Sequence, residues 1–156
     1  EGAVKSIGVH TGSGDVTVRL SAPAESVALR SSSGDLVVAG GAGKATARTG
    51  SGTIRLSDLS GGAELGSSSG DVEASWVKLA PGDDVRVRTG SGSARLTLPP
   101  GVSPAGTLDT GSGEIASDYP GTFNRRRSTC ELAGGAGAPR IEVETGSGDI
   151  TLRARK

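Results

Sequence analysis

The chain of 156 residues has 17 basic and 17 acidic side chains, so its net charge is zero and no broad attraction to nucleic acid or acidic lipid is expected. One tryptophan, one tyrosine and one phenylalanine supply too little aromatic volume for the core of a globular sandwich. The single cysteine, Cys130, excludes an internal disulfide, and no apolar run approaches the ~20 residues that a transmembrane helix needs. We therefore predict one domain over residues 1–156, without a transmembrane segment.

One five-residue phrase recurs seven times along the chain. It reads Thr-Gly-Ser-Gly-Asp at residues 11–15 and again at residues 145–149, and the glycine at its fourth place stands at positions 14, 34, 52, 70, 92, 113 and 148. These positions are separated by 20, 18, 18, 22, 21 and 35 residues. A near-constant period of about 20 residues is typical of a solenoid, in which each repeat forms one coil of a continuous stack.

The residues that flank each phrase alternate between apolar and polar. Ile7 and Val9 precede the first phrase at alternate positions, and Val16 and Val18 follow it in the same manner. This period of two predicts two short strands per coil, each with one buried face. The glycines of the phrase suit the corner between the strands. The first Thr or Ser of the phrase falls on the inward side, which predicts an internal hydrogen-bonded ladder.

The last interval, of 35 residues, is too long for one coil. Placing Phe123 before a corner, and Cys130 and Leu132 after it, restores the spacing, because Cys130 precedes Ile150 by 20 residues. This predicts an atypical penultimate coil at about 117–139. The predicted fold class is all-β: a single-stranded parallel β-helix of about eight coils, right-handed as parallel crossovers normally are.

Five residues are candidates for contact with a partner. Arg125, Arg126 and Arg127 form the densest run of charge, and with Tyr119 nearby they suit a phosphate, a sulfated glycan or an acidic protein; the alternative is a solvated bump. Trp76 suits stacking on a sugar ring, and the alternative is that it covers the far side of its own coil.

No catalytic residue, metal site or cofactor is predicted. The acidic residue that closes most phrases, such as Asp15, is interpreted as a turn cap, because calcium needs six to eight oxygens converging on one point. The only histidine, His10, occupies an outward position that other coils fill with arginine, which does not suit a catalytic triad. The column of Thr and Ser resembles the ladders of ice-binding solenoids, but an ice-binding face must point outward.

The phrase Thr-Gly-Ser-Gly-Asp, followed by a strand that begins with Ile or Val, resembles the repeat of a bacterial adhesin-like β-strand family without an assigned function. Residues 114–120 and 134–150 are similar to the C-terminal pattern of that family, so the resemblance covers the whole chain. It implies a parallel β-helix similar to that of bactofilins, no established enzyme activity, and a place in the cell envelope or outside the cell.

The expected function is therefore a non-enzymatic β-solenoid scaffold or adhesin-like module of the bacterial cell envelope. Expected partners are an envelope component or a second copy, because the ends of a solenoid expose unpaired strand edges. Three alternatives stay open: a structural protein that assembles end to end, a polysaccharide-active β-helix enzyme, and an ice-binding solenoid. Because the chain opens on Glu1 rather than Met, we also expect a mature or trimmed fragment.

Overall fold

A computed structural model describes residues 6–19, 24–40, 42–78, 82–99, 103–119, 121–126, 128–134 and 138–154. All regular structure in these ranges is β-strand. The described residues therefore contain no helix that is long and apolar enough to cross a membrane. The sixteen strands are β1 Ser6–Ser13, β2 Val16–Arg19, β3 Ala24–Ser33, β4 Leu36–Ala39, β5 Ala42–Ser51, β6 Ile54–Leu59, β7 Ala63–Ser69, β8 Val72–Trp76, β9 Asp84–Ser91, β10 Ala94–Leu98, β11 Ala105–Ser112, β12 Ile115–Ser117, β13 Gly121–Phe123, β14 Thr129–Ala133, β15 Arg140–Ser147 and β16 Ile150–Ala154.

The strands form two sheets that run side by side along a solenoid. The nine-stranded sheet has the order β1-β3-β5-β7-β9-β15-β11-β14-β13, and the seven-stranded sheet has the order β12-β16-β10-β8-β6-β4-β2. Each coil supplies one strand to each sheet, with the glycine-serine phrase at the corner between them. Coils 1 to 6 are β1/β2, β3/β4, β5/β6, β7/β8, β9/β10 and β11/β12, and coil 7 is β15/β16. The predicted all-β solenoid is confirmed.

Neighbouring coils pair in parallel and in register. Ser13 pairs with Ser33, and Ser33 pairs with Ser51, so each corner lies directly on the corner of the next coil. The alternate apolar residues of the strands consequently form continuous buried columns. Val85, Val87 and Leu96 of coil 5, for example, have no exposed surface. This narrow interior is filled by Val, Leu, Ile and Ala, which is why three aromatic residues suffice.

The spatial order of the coils departs from their order in the chain. Coil 7 lies between coil 5 and coil 6, because β15 pairs in parallel with β9 on one side and with β11 on the other. The expectation that each coil stacks on the preceding one is therefore wrong at this point. Two contacts favour the inserted position. Glu142 of coil 7 forms an ion pair with Arg86 of coil 5. Gly106 of coil 6 has a φ of 134° and lies so close to the Ile141 carbonyl of coil 7 that a Cβ would collide with it, so glycine permits this approach.

The predicted penultimate coil at about 117–139 is corrected to an antiparallel hairpin. Strand β14 pairs antiparallel with β11 and with β13, so Cys130 lies opposite Leu108 and Phe123 rather than in the column of Ile150. The segment has no Gly-Ser corner that would redirect the chain into the seven-stranded sheet. The described residues therefore form seven coils and one hairpin, where about eight coils were expected.

Candidate functional site

The first Thr or Ser of each phrase points into the solenoid. Thr89, Thr110 and Thr145 are 5%, 1% and 2% exposed. Their hydroxyls donate hydrogen bonds to corner carbonyl oxygens in the neighbouring coil, with Thr89 Oγ1 3.0 Å from the Gly70 oxygen and Thr145 Oγ1 3.0 Å from the Gly92 oxygen. The predicted internal ladder is confirmed. An ice-binding solenoid would present this column of Thr and Ser to the solvent, whereas here the column forms hydrogen bonds in the interior of the solenoid.

Removing one rung of this ladder is expected to destabilise the fold. In Thr89→Val the part-buried Gly70 oxygen loses its hydroxyl donor, so the free energy of unfolding should fall by about 1–3 kcal/mol. Thr11→Val is the matched control, because among the described residues the Thr11 hydroxyl bonds only to the Ser13 oxygen of its own, outermost coil. Urea unfolding of both variants checks this result. Equal losses in the two variants would contradict a role for the bond between coils.

The carboxylates that close the phrases cap amides of adjacent coils. Asp15 Oδ1 accepts a hydrogen bond from the Asp35 amide at 3.0 Å, and Asp149 Oδ1 accepts one from the Glu114 amide at 2.9 Å. Asp35 and Asp71 cap the next coils in the same way. The interpretation of these residues as turn caps is confirmed. Within the described ranges no three His, Cys, Asp or Glu side chains are grouped as metal ligands would be.

The outer face of the nine-stranded sheet is covered with paired charges. Arg86 Nε lies 3.3 Å from Glu142 Oε2, and Arg88 Nε lies 3.6 Å from Glu144 Oε2. A shallow groove of about 380 Å³ opens on this face near Gly66, where a coil lacks an outward side chain. Exposed pairs of this kind contribute at most about 1 kcal/mol each. The guanidinium groups of Arg86 and Arg88 are nonetheless engaged by carboxylates, which weakens this part of the face as a site for an anionic ligand.

The run of arginines lies on the turn of the hairpin. Arg125 and Arg126 are exposed between β13 and β14, and Arg127 lies outside the described residues. Neither Arg125 nor Arg126 forms an ion pair with another described residue. The structure thus places Arg125 and Arg126 on an exposed turn, which we call the tip, at the end of the nine-stranded sheet beyond coil 6.

Asn124 holds this tip in shape. Its Oδ1 accepts hydrogen bonds from the Ser128 amide at 2.9 Å and from the Thr129 amide at 3.3 Å, and its Nδ2 lies 3.1 Å from Ser128 Oγ. Thr129 Oγ1 in turn donates to Asp109 Oδ1 at 3.0 Å, which fixes the hairpin to coil 6. The sequence places Asn124 next to the arginine run, but its role in closing the turn was not predicted, although an asparagine before a polar run is a common turn signal.

Tyr119 does not extend the arginine tip. Its ring packs against the core, and its buried hydroxyl has no hydrogen-bond partner among the described residues. Burial, together with the nearby Asp118 carboxylate, raises the pKa of Tyr119. Burial also raises the pKa of the Cys130 thiol, which has no exposed surface. The Tyr119 hydroxyl and the Cys130 thiol are therefore kept in their neutral forms. Because both groups are buried, neither is available to a partner at the surface.

Trp76 is part of the core, and its assignment to partner contact is corrected. The side chain has no exposed surface, and Nε1 donates a hydrogen bond to the Gly61 oxygen at 2.9 Å. The alternation in β8 explains this, because Val72, Ala74 and Trp76 share its inward side. A buried indole cannot stack on a sugar ring.

The comparison with known proteins identifies a family over almost the whole chain. The family described as Toastrack DUF4097 matches residues 2–153. No curated protein and no solved structure matches the chain significantly. The match agrees with the solenoid described above and assigns no activity to it.

Proposed function

Since this chain belongs to the Toastrack DUF4097 family, we propose that it is a non-enzymatic, adhesin-like scaffold module of the bacterial cell envelope. The proposal includes the hairpin tip with Arg125 and Arg126 as the contact for an acidic envelope partner. It rests on how the chain uses its reactive groups. The described Asp side chains of the phrases cap turns, and the hydroxyls of the phrases form the internal ladder.

The observation that carries the proposal is the difference between the tip and the part of the nine-stranded sheet around Arg86 and Arg88. On the nine-stranded sheet, Arg86 and Arg88 each face a glutamate of coil 7. On the tip, Arg125 and Arg126 are exposed and have no such partner among the described residues. A planar guanidinium can form two parallel hydrogen bonds to a carboxylate, sulfate or phosphate group. The tip is therefore the better site for an anionic polymer.

The shape of the molecule suits a scaffold that displays such a tip. Nine strands at a spacing of about 4.8 Å form a rod of about 40 Å, with the hairpin at one end. Asn124 fixes the turn, so little conformational entropy remains to be lost when a partner binds. A rigid rod with a pre-formed basic tip supports adhesion more directly than it supports chemistry.

A paired substitution tests the tip. Arg125→Ala combined with Arg126→Ala is expected to weaken binding to dextran sulfate by about 5- to 30-fold, since each exposed charge pair contributes up to about 1 kcal/mol. Isothermal titration calorimetry at low salt measures this affinity. Arg19→Ala combined with Arg30→Ala is the matched control, because both arginines are exposed on coils far from the hairpin. Its affinity should stay within about twofold of that of the unsubstituted protein.

Two results would count against the proposal. If the control pair weakens binding as much as the tip pair, the polymer is held by general charge rather than by the tip. If incubation with acidic polysaccharides releases new reducing ends, the molecule is an enzyme and the non-enzymatic assignment fails.

A further inference from the structure

The outer face of the seven-stranded sheet brings two arginines and two threonines together. Strands β10 and β16 pair there in parallel, with Arg95 opposite Thr151 and Thr97 opposite Arg153. In both strands these residues alternate with buried apolar residues, so their side chains lie on the outer face of the sheet. We call the four residues the quartet.

The two arginines of the quartet stand at opposite corners of a small rectangle. Neighbouring strands are about 4.8 Å apart, and alternate residues of one strand are about 6.6 Å apart, so the diagonal is about 8 Å. Long side chains reach across such a diagonal. The threonine hydroxyls of Thr97 and Thr151 stand at the other two corners. Hydrogen-bond donors from all four corners can therefore converge on one point above the sheet.

The carboxylates beside the two arginines are engaged elsewhere. Glu73 lies opposite Arg95, but its Oε2 is 3.7 Å from Nε of Arg55, on the coil beyond. Beside β16, Asp118 Oδ2 accepts a hydrogen bond from the Ala154 amide at 3.1 Å. Neither arginine of the quartet forms an ion pair with another residue of the described ranges.

The remaining sequence offers the quartet little negative charge. Outside the described ranges the chain contains one acidic side chain, that of Glu1. The quartet thus holds two like charges on neighbouring coils. An anion between Arg95 and Arg153 would offset their repulsion, and its oxygens would accept hydrogen bonds from the guanidinium and hydroxyl groups.

A shallow groove adjoins the quartet on the same face. Its lining includes Thr97 of the quartet, Ser75, and the ion pair of Arg55 and Glu73. These side chains offer both donors and acceptors to the hydroxyl groups of a ligand. The groove has a volume of about 230 Å³. Pockets for drug-sized ligands measure about 300–1,000 Å³, so the groove suits a single small ring.

We propose that the quartet binds the phosphate or sulfate group of a sugar ester, whose ring lies in the groove. A tetrahedral oxyanion presents several acceptor oxygens, which match donors that converge from two strands. The hydroxyl groups of a sugar match the polar lining of the groove. The site takes one acidic group and one ring, and it does not depend on the polymer proposed for the arginine tip.

A titration with glucose 6-phosphate tests the quartet. Arg95→Gln combined with Arg153→Gln should weaken binding by about 5- to 30-fold, because two charge-assisted contacts are lost. Arg30→Gln combined with Arg140→Gln is the matched control, since it removes the same charge from exposed positions of the other sheet. Its affinity should stay within about twofold of that of the unsubstituted protein. Isothermal titration calorimetry of the full chain measures these affinities.

Nuclear magnetic resonance locates the ligand without a substitution. Glucose 6-phosphate should shift the amide signals of β10 and β16, whereas those of the hairpin should stay in place. Glucose 6-sulfate, titrated in parallel, shows which of the two oxyanions the quartet prefers. Shifts confined to the hairpin, equal losses in the two arginine pairs, or equal affinity for unmodified glucose would overturn the proposal.

Inorganic phosphate tests the groove separately from the quartet. Glucose 6-phosphate should bind at least about threefold more tightly than inorganic phosphate, since only the ester reaches the groove. Ser75→Leu, which fills the groove, should abolish this difference and leave the affinity for inorganic phosphate unchanged. Equal affinities of the unsubstituted protein for the two compounds would show that the groove holds no sugar ring.

Discussion

Gly70→Ala is expected to destabilise the protein by about 2–6 kcal/mol. The φ of Gly70 is 146°, which L side chains rarely adopt, and this strain alone amounts to about 1–3 kcal/mol. In addition, the Gly52 carbonyl oxygen of the adjacent coil occupies the space that a Cβ would need. The two coils would have to separate at the corner, which adds about 1–3 kcal/mol. Urea unfolding followed by circular dichroism measures the loss.

Gly14→Ala is the control for this prediction, because it reproduces the strain without the collision. The φ of Gly14 is 114°, but no atom lies within 4 Å of a Cβ built there, since Gly14 is on the outermost coil. Its loss should therefore be confined to about 1–3 kcal/mol. The difference between the stability losses of the two variants gives the cost of the collision between neighbouring coils at the corner. If Gly14→Ala and Gly70→Ala lose the same stability, close packing of the corners is not what requires glycine.

Trp76→Ala is expected to reduce the free energy of unfolding by about 3–5 kcal/mol. The indole has no exposed surface, so its removal leaves a cavity that the narrow core can fill only in part. Trp76→Phe separates the contribution of the ring volume from that of the indole hydrogen bond. It retains most of the ring volume and loses the donor to the Gly61 oxygen, so its loss should be about 1–3 kcal/mol. Thermal unfolding followed by circular dichroism suits both variants, since neither retains a tryptophan for fluorescence. A loss below about 1 kcal/mol in Trp76→Ala would contradict its place in the core.

The local structure was predictable from the sequence because it depends on local patterns. A period of two predicts strands, and it assigns Val85 and Val87 to the core and Thr89 to the inner ladder. The phrase itself predicts the corner, since glycine is required at positions such as Gly70. The same alternation also predicts a buried Trp76, because Val72, Ala74 and Trp76 occupy alternate positions of β8. The sequence-based prediction had ended this strand too early.

The order of the coils was not predictable in this way. Each coil carries the same columns and the same corner, so every coil fits equally well on any other. What places coil 7 between coils 5 and 6 are contacts between residues far apart in the chain, such as Arg86 with Glu142 and Gly106 with Ile141. A repeating sequence pattern does not predict such contacts between residues that are far apart in the chain.

The hairpin was missed for a related reason. Cys130 and Leu132 alternate with a period of two, and this period is the same in parallel and antiparallel strands. The direction of β14 is decided by its turn, where Asn124 reverses the chain. The arginine tip was found from charge alone, but its support by Asn124 and Asp109 depends on that reversal.

The position of the final coil has a consequence for synthesis on the ribosome. When residues 105–117 emerge, the place beside coil 5 belongs to a segment that has yet to be translated. Coil 6 must therefore wait apart from coil 5, or pair with it and later separate, until residues 140–154 arrive. A premature stop before these residues would remove a coil from the middle of the stack rather than from an end. Such a nascent chain exposes unpaired edges on both sides of the gap, which is where chaperones are expected to bind.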